Sequence, residues 1–183
     1  MKIYFIGSHA CGKSTLARYV SQAYQLPMIS ETARMILSEE ELHIDTLRSD
    51  IHATNDYQKQ VYFRQIQEEE KYPSFVSDRC LIDVLAYSAQ HTYILPELLY
   101  HPDITTYLEK LRDPDTYTFF VRPSKVTLKS DGVRETLVWD GIVAIDAQIK
   151  LLLQMWQLRF FQISMDNMQE RVQLISAVLS LKK

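Results

Sequence analysis

Residues 2–15 read Lys2-Ile3-Tyr4-Phe5-Ile6-Gly7-Ser8-His9-Ala10-Cys11-Gly12-Lys13-Ser14-Thr15. The first five form an apolar run that is typical of a buried strand. The next eight, Gly7 to Ser14, fit the pattern G-x-x-x-x-G-K-[ST], in which glycines let consecutive backbone N–H groups face one anion. Apolar residues with helical spacing follow, from Leu16 to Tyr24. The stretch therefore predicts a strand, a phosphate-binding loop and a helix in succession.

Two side chains of this loop carry its predicted chemistry. Lys13 is expected to reach the β and γ phosphates of a nucleotide, and Ser14 to hold a magnesium ion. The alternative is a plain glycine turn with Lys13 solvated and Ser14 capping the helix. The complete pattern in its strand-turn-helix context favours phosphate binding. The predicted nucleotide-binding residues are Gly7, Ser8, His9, Ala10, Cys11, Gly12, Lys13, Ser14 and Thr15.

Composition limits the class of protein. With 183 residues, of which 46% are hydrophobic, the chain is long enough for one core, so we expect a single domain over 1–183. The net charge is −3, and acidic and basic residues are interspersed along the chain, which argues against a nucleic-acid or membrane surface. The two cysteines, Cys11 and Cys80, lie within motifs, which favours a reducing compartment. Without an apolar run of membrane length or room for a signal peptide before the first strand, we expect a cytoplasmic protein.

Strand and helix patterns alternate along the rest of the chain. Short apolar runs predict strands near 27–28 and at 75–76, 117–121 and 160–163, whereas helical spacing marks 142–156 and 168–179. We predict an α/β three-layer sandwich with a parallel sheet of about five strands, and a site at their carboxyl ends. The polar stretch 39–56 is expected to be a loop that leads into a helix over 56–71.

An acid and a cation end the third predicted strand. Asp78 is expected to bind magnesium through water or to accept the proton of an acceptor hydroxyl. Arg79 is expected to grip a phosphate or carboxylate of the acceptor. The alternative is an Asp-Arg pair that caps the helix starting near Leu81. We favour function, because a strand-end acid is where this architecture keeps its metal ligand.

Further candidates for the acceptor side carry weaker signals. Asp83 and Tyr87 share one helix face. Two interpretations are equally supported: both residues face the site, or Asp83 stabilises the positive N-terminus of the helix. Glu31 follows the second strand and is expected to bind the acceptor, with Arg34 nearly one turn further on. Glu31 also fits a first-turn acid behind a Ser30 cap.

A cationic segment, about 122–140, has no apolar periodicity and is predicted to be a lid. Closing it would bring Arg134 and Lys129 over the phosphates, exclude water and stabilise charge in the transition state. The alternative is an ordinary exposed basic loop, and the Asp131-Gly132 turn before Arg134 favours the lid.

Four segments in this order resemble the NadR-like AAA domain family, which includes the nicotinamide riboside kinase domain of NadR and is related to nucleoside and thymidylate kinases. They are Gly7–Thr15, Glu31–Arg34, Ser77–Tyr87 and Asp131–Arg134. The resemblance implies an ATP- and Mg²⁺-dependent kinase on a P-loop fold. It places Lys13 and Ser14 at the donor phosphates, Asp78 and Arg79 towards the acceptor, and Arg134 in the lid.

One departure from the family keeps two functions open. Members often carry another arginine about two helical turns beyond Asp-Gly-x-Arg, where this chain reads Trp139-Asp140-Gly141-Ile142. The first hypothesis is a kinase whose partner is a small-molecule phosphoryl acceptor. The second is an ATP-binding regulatory module or slow ATPase, which the missing arginine favours. The adenine is expected near 164–167, and a homodimer stays open.

Overall fold

A parallel five-stranded sheet forms the centre of the computed structural model, which describes residues 1–40, 47, 49–124 and 139–180. Its strands are β1 (Lys2–Ile6), β2 (Met28–Ile29), β3 (Phe75–Asp78), β4 (Thr116–Val121) and β5 (Phe161–Ile163). They lie in the order β2-β3-β1-β4-β5. The predicted parallel sheet is confirmed, and each predicted strand is present within two residues of its expected ends.

Helices make the crossovers that parallel strands require. They are α1 (Lys13–Tyr24), α2 (Thr32–Glu39), α3 (Ile51–Glu70), α4 (Leu81–His91), α5 (Leu95–Leu99), α6 (Asp103–Arg112), α7 (Trp139–Met155) and α8 (Met168–Ser180). No helix in the described part of the chain is both long and apolar enough to span a membrane.

Alternate residues of β1 supply two separate cores. Ile3 and Phe5 pack on the face that α1 and α8 cover, and Tyr4 and Ile6 pack on the opposite face against the remaining helices. A strand that is buried on both faces reads as a continuous apolar run, because neither face meets water. The result is the predicted three-layer sandwich.

Two helical regions differ from the prediction. Helix α3 begins at Ile51 rather than Asp56, because the Asp50 side chain accepts hydrogen bonds from His52 N at 2.8 Å and Ala53 N at 3.3 Å. Such a cap satisfies N–H groups that a helix start leaves open. The loop predicted for 39–56 is therefore wrong over 51–56 and at residue 39, which ends α2. Residues 41–46 and 48 of it lie outside the described residues. Helices α5 and α6 were not predicted.

Strand register brings three chain segments to one edge of the sheet. Phe5 pairs with Asp78, so β1 and β3 end side by side. Ile29 of β2 pairs with Ser77. The loop after β1, Asp78 at the end of β3 and Glu31 after β2 therefore meet at the carboxyl edge, as predicted for this class of sheet.

Candidate active site

The loop between β1 and α1 has backbone conformations that glycine favours. Gly7 and Gly12 have φ values of +147° and +91°. A Cβ atom on Gly7 would lie 2.3 Å from the carbonyl oxygen of Val121, so any larger residue would collide with backbone. Gly12 is the N-cap of α1. The positive end of α1 therefore adjoins the loop, which suits an anion.

Lys13 lies within this loop and is almost fully buried. Its Nζ donates to the main-chain oxygen of Ser8 at 2.6 Å and lies 3.6 Å from Cys11 Sγ. A buried ammonium group needs acceptors, and the loop's own carbonyl supplies one here. Phosphate oxygens would be stronger partners, because both charges then contribute to the hydrogen bond.

Other loop residues predicted to bind the nucleotide lie around this lysine. Ala10 has a φ of +54°, which turns the chain within the loop. The His9 ring lies 4.8 Å from the ring of Tyr87, a partly buried residue of α4. Thr15 is exposed in the first turn of α1. Their contacts with a nucleotide remain predictions.

Asp83 holds the start of the loop by a hydrogen bond to its side chain. Its side chain is fully buried, with Oδ1 accepting from Gly7 N at 3.0 Å and Oδ2 accepting from Cys80 N at 3.1 Å. Burial raises the pKa of Asp83, while the charges of Arg79 and Lys13 oppose this shift. Because Asp83 is fully buried and main-chain N–H groups of its own fold occupy both oxygens, this geometry favours a positioning role over the acceptor contact predicted for Asp83.

A cleft of about 460 Å³ opens beside the loop. It is lined by Ser14, Arg18, Met28, Ser30, Glu31, Arg34, Met35, Ser38, Glu39 and Asp78. The predicted magnesium ligands, Ser14 and Asp78, thus share one cavity with Glu31 and Arg34 from the predicted acceptor side. A molecule in this cleft would meet both sets of side chains.

Asp78 offers an oxygen that the described residues leave unused. The side chain is 2% exposed, and no described donor reaches Oδ1. A buried carboxylate oxygen without a partner is costly, and oxygen ligands are those that Mg²⁺ prefers. No group of three or more His, Cys, Asp or Glu residues suited to a metal occurs in the described chain. Since Mg²⁺ usually keeps waters and phosphate oxygens as ligands, Ser14 and Asp78 fit it without such a group.

Glu31 carries a fixed negative charge at the wall of the cleft. Its Oε1 accepts from Arg79 Nε at 2.9 Å, and its Oε2 lies 2.7 Å from Arg34 Nε. Burial alone would raise the pKa of Glu31, but the positive charges of Arg79, Lys13 and Arg34 lower it to about 2. The carboxylate therefore stays ionised at neutral pH.

The Arg79 side chain lies behind Glu31 rather than in the cleft. The guanidinium is 4.9 Å from the centre of the Tyr87 ring, and Nη1 is 3.6 Å from Asp83 Oδ1. With 7% of its side chain exposed, Arg79 is not among the residues that line the cleft. Its predicted grip on the acceptor remains a prediction, and the geometry favours a role in holding Glu31.

The backbone of Arg79 is also unusual. Its φ is +90°, a value that residues with a Cβ rarely adopt. Two hydrogen bonds hold this conformation, from Arg79 N to Phe5 O at 2.9 Å and from Ser77 Oγ to Arg79 O at 2.7 Å. Asp78, its neighbour in the chain, lines the cleft, whereas Arg79 does not.

Gln65 on α3 is a buried residue of this region that the sequence did not reveal. Its Oε1 accepts from Thr32 Oγ1 at 3.0 Å, and its Nε2 donates to Ser77 Oγ at 3.2 Å and to Glu69 Oε1 at 2.9 Å. Gln65 thereby connects the first residue of α2, next to Glu31, with the end of β3. A glutamine within a helix carries no motif that would predict these contacts.

Most of the predicted lid lies outside the described residues. Arg134, Lys129 and the Asp131-Gly132 turn fall within 125–138, so their roles remain predictions. Arg122, at the start of the predicted lid, is described and pairs with Asp146 of α7, with Nη2 2.6 Å from Oδ2.

Comparison with known proteins shows which family the chain belongs to. The sequence model of the AAA domain family AAA_28 matches residues 2–171. The chain belongs to this family. The resemblance indicated by the motifs is thus confirmed for this AAA domain protein. A comparison with curated proteins found no match.

Solved structures with a similar fold include a deoxyadenosine kinase, a NadR protein and a shikimate kinase. Deoxyadenosine kinase from M. mycoides is 17% identical, with a TM-score of 0.69, over 98% of this chain and 99% of that one. NadR in complex with NR is 16% identical, with a TM-score of 0.69, over 91% of this chain and 46% of that one. Shikimate kinase from Aquifex aeolicus is 17% identical, with a TM-score of 0.60, over 100% of this chain and 96% of that one. These likenesses confirm the predicted P-loop fold of the AAA domain protein.

Proposed function

We propose that this protein is an ATP-dependent kinase that transfers the γ-phosphoryl group to a nucleoside, a nucleotide or a related metabolite. The observation that carries this proposal is the single cleft shared by Ser14, Asp78 and Glu31. Donor and acceptor groups are adjacent in such a cavity, which phosphoryl transfer requires. The similar folds of deoxyadenosine kinase, shikimate kinase and NadR support the same class of reaction by analogy.

On the donor side, the loop supplies positive charge. Main-chain N–H groups between Gly7 and Lys13 and the N-terminus of α1 would bind the phosphates, and the Lys13 ammonium would leave Ser8 O for phosphate oxygens. Ser14 would hold Mg²⁺ directly, and Asp78 would bind the ion through a water molecule, which leaves its Oδ1 available as a base. When bound, the ion offsets negative charge on the transferring group.

On the acceptor side, Glu31 would accept a hydrogen bond from a hydroxyl of the substrate and orient it. The hydroxyl oxygen forms a bond to the γ phosphorus, the bond from phosphorus to the bridging oxygen breaks, and ADP leaves. We assign Asp78 Oδ1 as the acceptor of the hydroxyl proton, because no described donor occupies that oxygen. Glu31, with a pKa of about 2, suits orientation better than proton transfer.

The test is release of ADP from Mg-ATP with and without nucleosides, mononucleotides, nicotinamide riboside and shikimate. We expect at least one acceptor to stimulate ADP release, and Asp78→Asn to lower the stimulated rate by about 100-fold or more. Asp56→Asn, on the exposed face of α3, is the matched control and should retain the rate. Stimulated release that persists in Asp78→Asn would contradict the assignment of this residue.

The second candidate is an ATP-binding regulatory module or slow ATPase. It is favoured by residues 139–142, Trp-Asp-Gly-Ile, which supply no cation where the family often has a second lid arginine. Mg-ATP binding without stimulation by any acceptor in the same assay would select this function.

A further inference from the structure

Arg171 of α8 reaches the phosphate loop from 160 positions away in the chain. Its side chain is fully buried, and Nη1 donates to the main-chain oxygen of Cys11 at 2.6 Å. Nε donates to the main-chain oxygen of Met165 at 2.6 Å. A Cβ atom built on Gly12 would lie 3.1 Å from Nη1, so the guanidinium also packs against the end of the loop.

Among the described residues, no acidic side chain pairs with the charge of Arg171. None of the ion pairs among the described residues includes Arg171, and its Nη2 has no described acceptor. Burying a guanidinium without a counterion costs stability that an apolar side chain would not. Packing alone therefore does not account for an arginine here, whereas an anion bound by the neighbouring loop would be attracted by its charge.

The hydrogen bond to Cys11 O sets the direction of a neighbouring N–H group. The peptide between Cys11 and Gly12 is planar and trans, so its N–H points opposite to its carbonyl oxygen. Because Arg171 holds the Cys11 carbonyl on one side of the loop, the Gly12 N–H faces the other side. Gly12 immediately precedes Lys13, whose ammonium lies within the loop.

The second hydrogen bond connects the loop to the turn between β5 and α8. Met165 lies in this turn, at 164–167, where the adenine is expected from the architecture of the fold. One guanidinium thus joins the segment predicted beside the adenine to the segment predicted around the phosphates.

We propose that Arg171 is a positioning residue that orients the Gly12 N–H towards the ATP phosphates and fixes the loop relative to the turn at 164–167. The inference rests on the proposed binding of ATP, but on neither the acceptor nor the transfer step. Arg171 acts through the backbone of Cys11 and does not contact the reacting atoms.

Calorimetric titration with Mg-ATP and with Mg-tripolyphosphate tests this role. Arg171→Met keeps an unbranched apolar stem and removes the donors. We expect it to weaken binding of both ligands about tenfold, because a misdirected N–H loses one hydrogen bond to a charged group. Arg159→Met is the matched control, since Arg159 also donates to main-chain oxygens, those of Asp113, Pro114 and Thr116, but on an exposed surface. It should bind both ligands as the wild type does.

Glycine-selective ¹⁵N labelling gives a readout that a purely structural role would not change. The chain has four glycines, so the spectrum contains few signals and Gly141→Ala identifies one of them. In the wild type we expect the Gly12 amide signal to shift when Mg-ATP is added. In folded Arg171→Met that shift should be lost or reduced to less than about half, while the Gly141 signal is unchanged in both proteins.

The outcomes separate this inference from the proposed function. A wild type that does not bind Mg-ATP overturns both. A wild type that binds, together with a folded Arg171→Met that binds equally and keeps the Gly12 shift, overturns only the role of Arg171. If Arg171→Met does not fold, Arg171→Lys replaces it, because lysine keeps the charge but lacks the fork that reaches two carbonyls. Failure of both variants to fold would make Arg171 a structural residue and would also overturn the proposal.

Discussion

At the carboxyl edge of the sheet, individual charged residues are paired and buried rather than exposed to solvent. Glu31 lies between Arg79 and Arg34, and Asp83 is covered by main-chain N–H groups. Asp78 is the exception, because one of its oxygens has no described donor. This contrast separates the residue that we expect to take part in the reaction from those that position it.

The first prediction concerns Glu31 and pH. The folded protein holds the pKa of Glu31 at about 2, below the ordinary 4.5, so ionisation favours folding. This stability is present above pH 4.5 and is lost as the pH falls towards 2. We expect Glu31→Gln to lower the free energy of unfolding at pH 7 by up to about 3 kcal/mol, and the difference from the wild type to narrow below pH 4.5.

Urea unfolding between pH 7 and pH 3.5 checks this prediction. Glu109→Gln, an exposed substitution on α6, serves as the control and should follow the wild type throughout. A difference between Glu31→Gln and the wild type that is the same at every pH would show that the charge of Glu31 is not the cause.

Sequence order explains which site residues could be predicted. Lys13 and Ser14 end the motif that follows β1, and Asp78 is the last residue of β3, so a motif or a strand end identifies them without knowledge of the fold. The hydrogen bond from Gly7 N to Asp83 Oδ1 spans 76 positions, and that from Arg171 Nη1 to Cys11 O spans 160. Contacts of this range depend on packing. The motif analysis identified Asp83 as a candidate but not its contact with Gly7, and it did not identify Arg171.

At the scale of single elements, Gly7 and Gly141 differ in whether the surrounding structure has room for a side chain. Gly7 has a φ of +147°, and a Cβ there would lie 2.3 Å from Val121 O. Gly141 lies in α7, and a Cβ there would have no heavy atom within 4 Å. The same substitution should therefore have opposite effects on stability at these two positions.

We expect Gly141→Ala to raise the free energy of unfolding by about 0.5–1 kcal/mol, because alanine loses less backbone entropy in a helix. Gly7→Ala should lower it by several kcal/mol or prevent folding, through the collision with β4 and the positive φ. Thermal unfolding of both variants is the measurement. A stable Gly7→Ala protein with unchanged Mg-ATP binding would contradict the described loop geometry.

The extents of elements were predictable where the local pattern matched the final packing. The run from Lys2 to Ile6 and the spacing from Met168 to Leu179 gave their elements correctly. The start of α3 was misplaced because Ile51 and His52 in its first turn are exposed, so the Asp50 cap defines the start of the helix rather than any apolar stripe. Helices α5 and α6 are short and lie between two strands, where no long periodicity could develop.

For the whole molecule, the strand order β2-β3-β1-β4-β5 places the loop after β1 between its neighbours β3 and β4. This order explains how Asp78 and Val121 both lie next to the loop although they are distant in sequence. Alternating strands and helices predicted the parallel sheet, but not which strands are neighbours. The possible homodimer stays open, and the closing of the predicted lid, about 122–140, over the phosphates remains a prediction.

The central claim is that the loop at 7–15 binds the phosphates of ATP with Lys13 completing the charge balance. Calorimetric titration of Mg-ATP into the wild type, Lys13→Ala and the control Lys71→Ala tests it most directly, since Lys71 is an exposed lysine that pairs with Glu68. We predict that Lys13→Ala weakens binding by about tenfold or more while Lys71→Ala binds as the wild type does. Equal affinity of Lys13→Ala and the wild type would contradict the account.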